Sequence, residues 1–324
     1  MRKALLFFIT ITIMGSAFMD NKLYAQDPEF SQFYANPLYL NPAFAGSARC
    51  PRICMNFRDE WPAIPGTFVT YSASYDQHVD GLNGGVGLLL SQDQAGLATL
   101  TTTCASLIYA YQLTVSRTFS ISAGFQATYM EKSLDEGKLN FGDMIDPRRG
   151  FVLATSEQIT RSSIATPDFS AGLLGYSKNL FFGFAADHLT QPDESFVGVG
   201  SPLPMRLTAH AGAMIPLSNH YSQDDQVTIS PDVLFVKQQD FTQLNLGFYL
   251  MKGPIVGGLW YRNQDAIIAL IGFQKKSIRM GYSYDITVSK LTEATAGAQE
   301  ISLMFIFSCR PKIRHYRTIS CPSF

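Results

Sequence analysis

The sequence predicts an all-β fold, a transmembrane antiparallel outer-membrane β-barrel of about fourteen strands, and three observations carry that reading. Only 16% of the 324 residues are charged, while 24 are Phe and 15 Tyr; soluble proteins typically carry about 25% charged residues. From Arg52 onward, apolar and polar positions alternate in segments of about ten residues, the length a tilted membrane strand needs. No stretch after the N-terminal 25 residues reaches the ~18 uninterrupted apolar residues of a spanning helix.

The chain opens with an export signal. Arg2 and Lys3 precede an apolar run from Ala4 to Ile13 that continues to about Met19, and Leu23-Tyr24-Ala25 offers a cleavage site before Gln26. Residues 1–25 are therefore expected to be removed. No Cys follows the apolar core, which argues against a lipoprotein. Residues 26–51 come next, with Asn36-Pro37 and Asn41-Pro42 set among Phe33, Tyr34, Leu38, Tyr39 and Phe44. Each proline biases the residue before it toward extended geometry, so a regular helix or central strand is excluded. The segment is too apolar for a linker and is expected to pack at the periplasmic rim or as a plug in the lumen.

Barrel strands are expected within 52–308. They read at Arg52–Arg58, Phe68–Tyr75, Gly84–Ser91, Thr99–Tyr111, Phe119–Met130, Asp168–Tyr176 and Leu180–His188. They continue at Met205–Ile215, Val227–Val236, Thr242–Leu250, Ile255–Arg262 and Ala266–Phe273, and the last two come from a hairpin over Ile278–Phe307. In that hairpin Ile278, Met280, Tyr282 and Tyr284 share one face, and Arg279 and Asp285 share the other. With both termini in the periplasm, the connections near 131–167, 189–203 and 287–300 all face outward and are the three longest. The tightest turns fall mostly inward. Long external loops and short periplasmic turns are the asymmetry of such barrels. A basic tail, 309–324, follows the last strand and is expected in the periplasm.

The polar faces place Arg58, Arg206, His210, Arg262, Arg279 and Asp285 on the lumen, because a charge on the lipid face costs about 2–4 kcal/mol at the midplane. They would serve as a wall-to-wall ion network, a narrow pore lining or a hold on the N-terminal segment. The outer face would meet membrane lipid. Cys50 precedes the first strand and Cys309 follows the last, and these two strands pair in a closed barrel. A bridge from Cys50 to Cys309 or Cys321 would staple that seam.

Catalytic and cofactor signals are missing. Gly81, Gly84, Gly85 and Gly87 precede no helix and no Gly-Lys-Ser/Thr, so they fail the phosphate-loop context. They read instead as places where backbone approaches closely. The five histidines lack metal spacing, and Cys50 and Cys54 have no second pair for zinc. Asp187 and His188 are adjacent, which on a strand sends them to opposite faces. No nucleophile elbow occurs. We therefore expect no enzyme activity, no cofactor and no metal, and the net charge of −1 argues against a nucleic-acid partner.

Several stretches together resemble the PorP/SprF family of outer-membrane proteins associated with type IX secretion in Bacteroidetes. They are QFYANPLYLNPAFAG at 32–46, CPRICMNFRDEWPA at 50–63 and TYSASYDQHVDGLNGGVGLL at 70–89, then FGDMIDPRRGFV at 141–152, GYSYDITVSKLTEATAGAQEISL at 281–303 and the terminal ISCPSF. Gln299 stands where a His is usual, and Asp59-Glu60 where Asn-Gln is usual. The resemblance implies a non-enzymatic barrel of the type IX secretion and gliding-motility apparatus. Such a barrel would anchor a secreted partner, the C-terminal domain of a large adhesin or other type IX substrate, at the cell surface. It further implies that the periplasmic tail meets the lipoprotein ring of the secretion machinery. On this reading the partner meets the external loops. Its candidate contacts are Asp59, Trp61 and Pro62 on the first loop, Asp143, Asp146, Arg148 and Arg149 on the 131–167 connection, and Thr292 and Glu293 on the last. Trp61 reads equally as an interface anchor or a membrane-belt residue. The rival reading is a channel or transporter for small solutes.

Overall fold

A computed structural model describes residues 27–64, 66, 68–96, 99–155, 161–196, 198, 200–217, 226–275, 277–288, 296–308 and 321. Period-2 alternation over lengths that suit a bilayer gives a wall of fourteen antiparallel strands among these residues. The first seven are β1 Arg52–Glu60, β2 Phe68–Val79, β3 Gly84–Ala95, β4 Leu100–Thr114, β5 Phe119–Leu134, β6 Ser163–Ser177 and β7 Leu180–Asp187. The rest are β8 Arg206–Ala213, β9 Val227–Gln238, β10 Phe241–Lys252, β11 Ile255–Arg262, β12 Ala266–Lys275, β13 Ile278–Thr287 and β14 Ala298–Ile306. Consecutive strands pair with each other. The seam closes where β1 meets β14, from Arg52↔Ile306 to Glu60↔Ala298. No sheet edge is left open to lipid, as a membrane-spanning sheet requires.

The alternation sorts the two faces. Outward, Ile278, Met280, Tyr282 and Tyr284 are exposed, as are Tyr71, Tyr75, Phe125 and Phe184. Inward, Thr70, Ser72, Ser74 and Asp76 of β2 are all buried. The rim where β1 ends and β2 begins is called the upper rim here, and the one where β1 begins and β14 ends the lower rim.

Several strands outrun the sequence reading at the upper rim. β5 and β6 pair through Lys132↔Ile164 and Ser133↔Ser163, so 131–134 and 163–167 are wall and the loop is 135–162. Polar residues there stand above the apolar band, and hydropathy alternation does not mark them. The loop holds a two-stranded pairing, Ile145–Asp146 with Gly150–Phe151. Likewise β13 runs to Thr287 and β14 begins at Ala298, which trims the last upper connection to 288–297. The two longest connections, 135–162 and 188–205, lie on the upper rim. The lower connection, continued by the pairing of Ile215–Pro216 with β9, leaves 217–226, as long as 288–297. Loop length therefore sorts by side less sharply than the sequence implied.

Inside, the lower half of the lumen holds an apolar core, with Asp76, Ser122 and Asp232 buried beside it, where the alternation suggested a wet lining. Leu174, Tyr176, Phe181, Leu234, Tyr249, Trp260 and Ile268 pack with Phe33, Tyr34, Leu38, Leu40 and Phe44 from the N-terminal segment. The barrel thus has a hydrophobic core that its own N-terminal segment supplies. Burying each such side chain contributes about 1.5–3 kcal/mol.

Cys50 is disulfide-bonded, whereas Cys54, Cys104 and Cys321 are free thiols. This removes Cys321 as the partner of Cys50. Cys309 lies outside the described residues. Cys321 is buried instead, its backbone N–H donating to Ser47 O at 3.2 Å at the lower rim. Non-reducing peptide mapping is expected to find Cys50 in a bridge and Cys54, Cys104 and Cys321 reduced; a free Cys50 would contradict the arrangement.

Candidate functional site

The site is the lumen with the segment that fills it. Two prolines start two short turns, the helix Pro37–Leu40 and the 3-10 turn Pro42–Phe44, preceded by a 3-10 turn at Phe33–Ala35. Proline suits a first helical position because the missing N–H has no partner there anyway. Asn41 caps the second turn, its Oδ1 accepting from Ala43 N at 2.8 Å. Its Nδ2 donates to Leu173 O and Phe184 O on the wall and approaches His210 Nε2 at 3.2 Å. Two wall glycines admit the backbone here. A Cβ at Gly85 would collide with Ala45 O, and one at Gly124 with Ala43 N. Phe44 stacks on the His210 ring, with centroids 5.3 Å apart.

Above this apolar level lies a buried ionic cluster. Arg58 Nη1 and Arg262 Nη1 reach Asp285 Oδ2 at 3.2 and 3.3 Å, from three different strands. Ser31 Oγ sits among them, donating to Asp285 Oδ2 and accepting from Arg58 and Arg262. Glu300 Oε2 accepts the backbone N–H groups of Ser31, at 2.5 Å, and Gln32, at 3.1 Å. Gln32 Nε2 donates to Glu300 O at 2.9 Å. The cations thus face carboxylates, and the segment's own polar backbone completes the shell, as burial of charge demands.

Each end of the segment is tied to a rim. At the lower rim Arg52 grips Asp76 with Nε and Nη2, at 2.8 and 3.1 Å, and Gly46 N donates to Asp76 Oδ2 at 2.8 Å. At the upper rim Asp27 Oδ2 meets His188 Nε2 at 2.8 Å, while His188 Nδ1 meets Asp168 Oδ2 at 2.8 Å. Carboxylates only accept, so both ring nitrogens donate and His188 is an imidazolium. Burial opposes that charge, but the carboxylates of Asp27 and Asp168 outweigh it and push the pKa up to about 10. A folded-state value above the ordinary 6.5 stabilises the fold fully below pH 6.5, and the benefit is lost as pH rises through about 10. Unfolding of wild type and His188→Gln, compared in detergent, should therefore show the widest gap below pH 6.5 and a closed gap above about pH 10.

Above Asp27 the lumen opens into a vestibule of about 610 Å³, lined by residues that include Glu60, Trp61, Asp93, Cys104, Lys132 and Asp187. A family description, "Type IX secretion system membrane protein PorP/SprF", matches residues 22–305. The chain belongs to the PorP/SprF family. Among solved structures, this PorP/SprF barrel is similar to the toluene transporter TbuX of Ralstonia pickettii, at 12% identity, with 84% of this chain and 93% of that one covered and a TM-score of 0.46. Omp33 of Acinetobacter baumannii shows 8% identity, 80% and 100% coverage and a TM-score of 0.42. A Pseudomonas aeruginosa FadL homologue shows 13%, 90% and 97%, and 0.42. No curated protein matches the chain significantly. Family and architecture together make it an outer-membrane β-barrel.

The PorP/SprF chain places Arg58, Arg206, His210, Arg262, Arg279 and Asp285 on the inner face. Arg58, Arg262 and Asp285 meet in one cluster. Arg206 lies over the Tyr39 ring at 5.4 Å and 3.8 Å from Asp27. Arg279 borders a small cavity beside Gln32 and Tyr34, and His210 holds Asn41. Of the candidate partner contacts, Asp59 is within β1, paired with Gln299 and Val69, not on the first loop. Trp61 has φ 57°, packs edge-on against Phe68 at 5.3 Å and lines the vestibule. Pro62 is half-buried. Asp143 accepts from Thr155 Oγ1, and Asp146 accepts the N–H groups of Arg148 and Arg149, whose side chains are exposed. Thr292 and Glu293 lie outside the described residues.

Asp187 and His188 both line the vestibule, although strand alternation would have parted them. β7 stops at Asp187, and His188 takes φ 57°, which turns its ring back inward. The sequence reading missed Asp27, Ser31, Asp76 and Glu300. Glu300 was recoverable: Ile301 and Leu303 point out, so the same alternation sends Glu300 and Ser302 in. The described chain begins at the upper rim, where Asp27 meets His188, whereas β14 ends at the lower one.

Proposed function

We propose that this PorP/SprF barrel is a non-enzymatic receptor that binds a secreted partner on its upper, outer face and anchors it at the cell surface. The partner class is the C-terminal domain of an adhesin or another type IX substrate, with the lower rim and the tail facing the periplasmic ring lipoproteins. One observation carries the choice of receptor over solute channel. The N-terminal segment spans the lumen from rim to rim, and Phe33, Tyr34, Leu38, Ala43 and Phe44 are each at most 7% exposed. A filled lumen suits a rigid platform, and the vestibule above the segment opens toward the loops. The exposed Arg148 and Arg149 remain candidate contacts on that face. Affinity isolation of the protein from native outer membranes should recover a large secreted protein. If none is recovered, and deletion of the barrel leaves the surface proteome unchanged, the proposal fails.

A further inference from the structure

The vestibule has a shape and a charge that define an occupant. Its floor is Asp27, Pro28, Glu29 and Tyr39, its walls are upper strand ends, and its mouth carries Trp61, Phe68 and Phe241. At about 610 Å³ it falls within the 300–1,000 Å³ range of ligand pockets, room for a few side chains and not for a folded domain. Eight carboxylates line it (Asp27, Glu29, Glu60, Asp93, Asp168, Asp187, Glu194 and Asp265), against Lys132, Arg206, Arg262 and His188. Lys132 is taken by Glu194 at 2.6 Å, and Arg262 by Asp265 and Asp285. Asp93 accepts the Thr70 hydroxyl at 2.7 Å, and neither it nor Asp187 has an ion-pair partner within 4.0 Å among the described residues. The surplus is negative in a recess where low-dielectric walls focus the field.

The spread of these carboxylates separates two kinds of cation. Among the described residues no three His, Cys, Asp or Glu side chains converge to hold a metal ion. A single ion would leave half or more of the surplus unmatched, whereas positive charges spaced along a chain would match it. We propose that the vestibule receives an extended, lysine- or arginine-bearing segment of the secreted partner, inserted through the loop rim. This rests on the receptor reading above and adds the chemistry of what is received: basic side chains between the carboxylates, with their aliphatic stems along Trp61, Phe68 and Phe241.

Cys104 supplies an internal reporter, because it is the free thiol that lines the vestibule while Cys54 and Cys321 are buried. Full-length protein in detergent would be treated with a maleimide in the presence of acetyl-Lys-Gly-Lys-Gly-Lys-amide or its glutamate counterpart. The lysine peptide is expected to slow modification of Cys104 about tenfold at low salt, with protection lost in high salt, and the glutamate peptide to have no effect. Asp93→Asn/Asp187→Asn should abolish the protection while the folded barrel persists on heat-modifiability gels. Equal protection by both peptides, or none by either, overturns the inference. Partner recovery separates the two readings. If the double variant still captures the partner that wild type captures, the vestibule is not the contact and the receptor stands. If wild type captures none, the receptor falls, and the peptide result alone decides the chemistry of the vestibule.

Discussion

Replacing Asp285 with asparagine is expected to cost the folded barrel about 3–5 kcal/mol, the range for removing one partner of a buried ion pair. The carboxylate lies between Arg58 and Arg262, both nearly sealed from solvent at 2% and 3% exposure, and it also accepts from Ser31. An amide supplies one acceptor and no charge, so Arg58 is left with the more distant Glu60 and Glu300, at 3.7 and 3.9 Å, and Arg262 with Asp265 at 3.2 Å. Denaturant unfolding in detergent, compared with wild type, measures the loss. Glu300→Gln should cost less, because a glutamine oxygen still accepts the Ser31 and Gln32 N–H groups. Equal stability of wild type and Asp285→Asn would mean that the cluster does not hold the segment to the wall.

The second large effect concerns conduction. Wild type in planar bilayers is expected to show no steady conductance, and excision of residues 27–46 should open one, since fourteen strands enclose a lumen wide enough for solute once emptied. Gly124→Leu offers a gentler route to the same result. The added side chain must occupy the place of Ala43, and overpacking of this kind costs about 1–3 kcal/mol, spent in lifting the segment from its seat. Intermittent conductance is the expected outcome. A wild type that conducts as steadily as the excised form would return the solute-channel reading to first place.

How far the sequence disclosed this arrangement can be judged from particular residues. The outward faces were legible because Tyr282, Tyr284, Ile121 and Phe125 must meet lipid, and lipid imposes one rule on every strand. The upper ends of β5 and β6 were not, because Glu131, Lys132 and Ser163 pair above the bilayer, where polarity no longer reports face. The two Asn-Pro steps marked 32–46 as a packed segment but left its location open. Gly85 marks a point of close approach, and Ala45 is what approaches. Which residues grip the segment could not be read from local pattern, since Ser31 finds its partners at Asp285 and Glu300, far along the chain.

That separation bears on how the molecule comes to be built. Ser31 and Glu300 lie 269 positions apart, so a growing chain holds the N-terminal segment without its anchors until the final strand exists. Loop-closure entropy for such contacts is met before any of their energy returns, which makes folding slow. The segment also runs directly into β1, whose seam partner is β14, and its far end lies at the opposite rim. Threading it upward through a finished cylinder would drag Phe30, Glu29 and Asp27 past a packed interior. The wall is instead expected to curl around the segment, with seam zipping and lumen filling as one late event. Chains truncated before β14 would then lose closure and filling together.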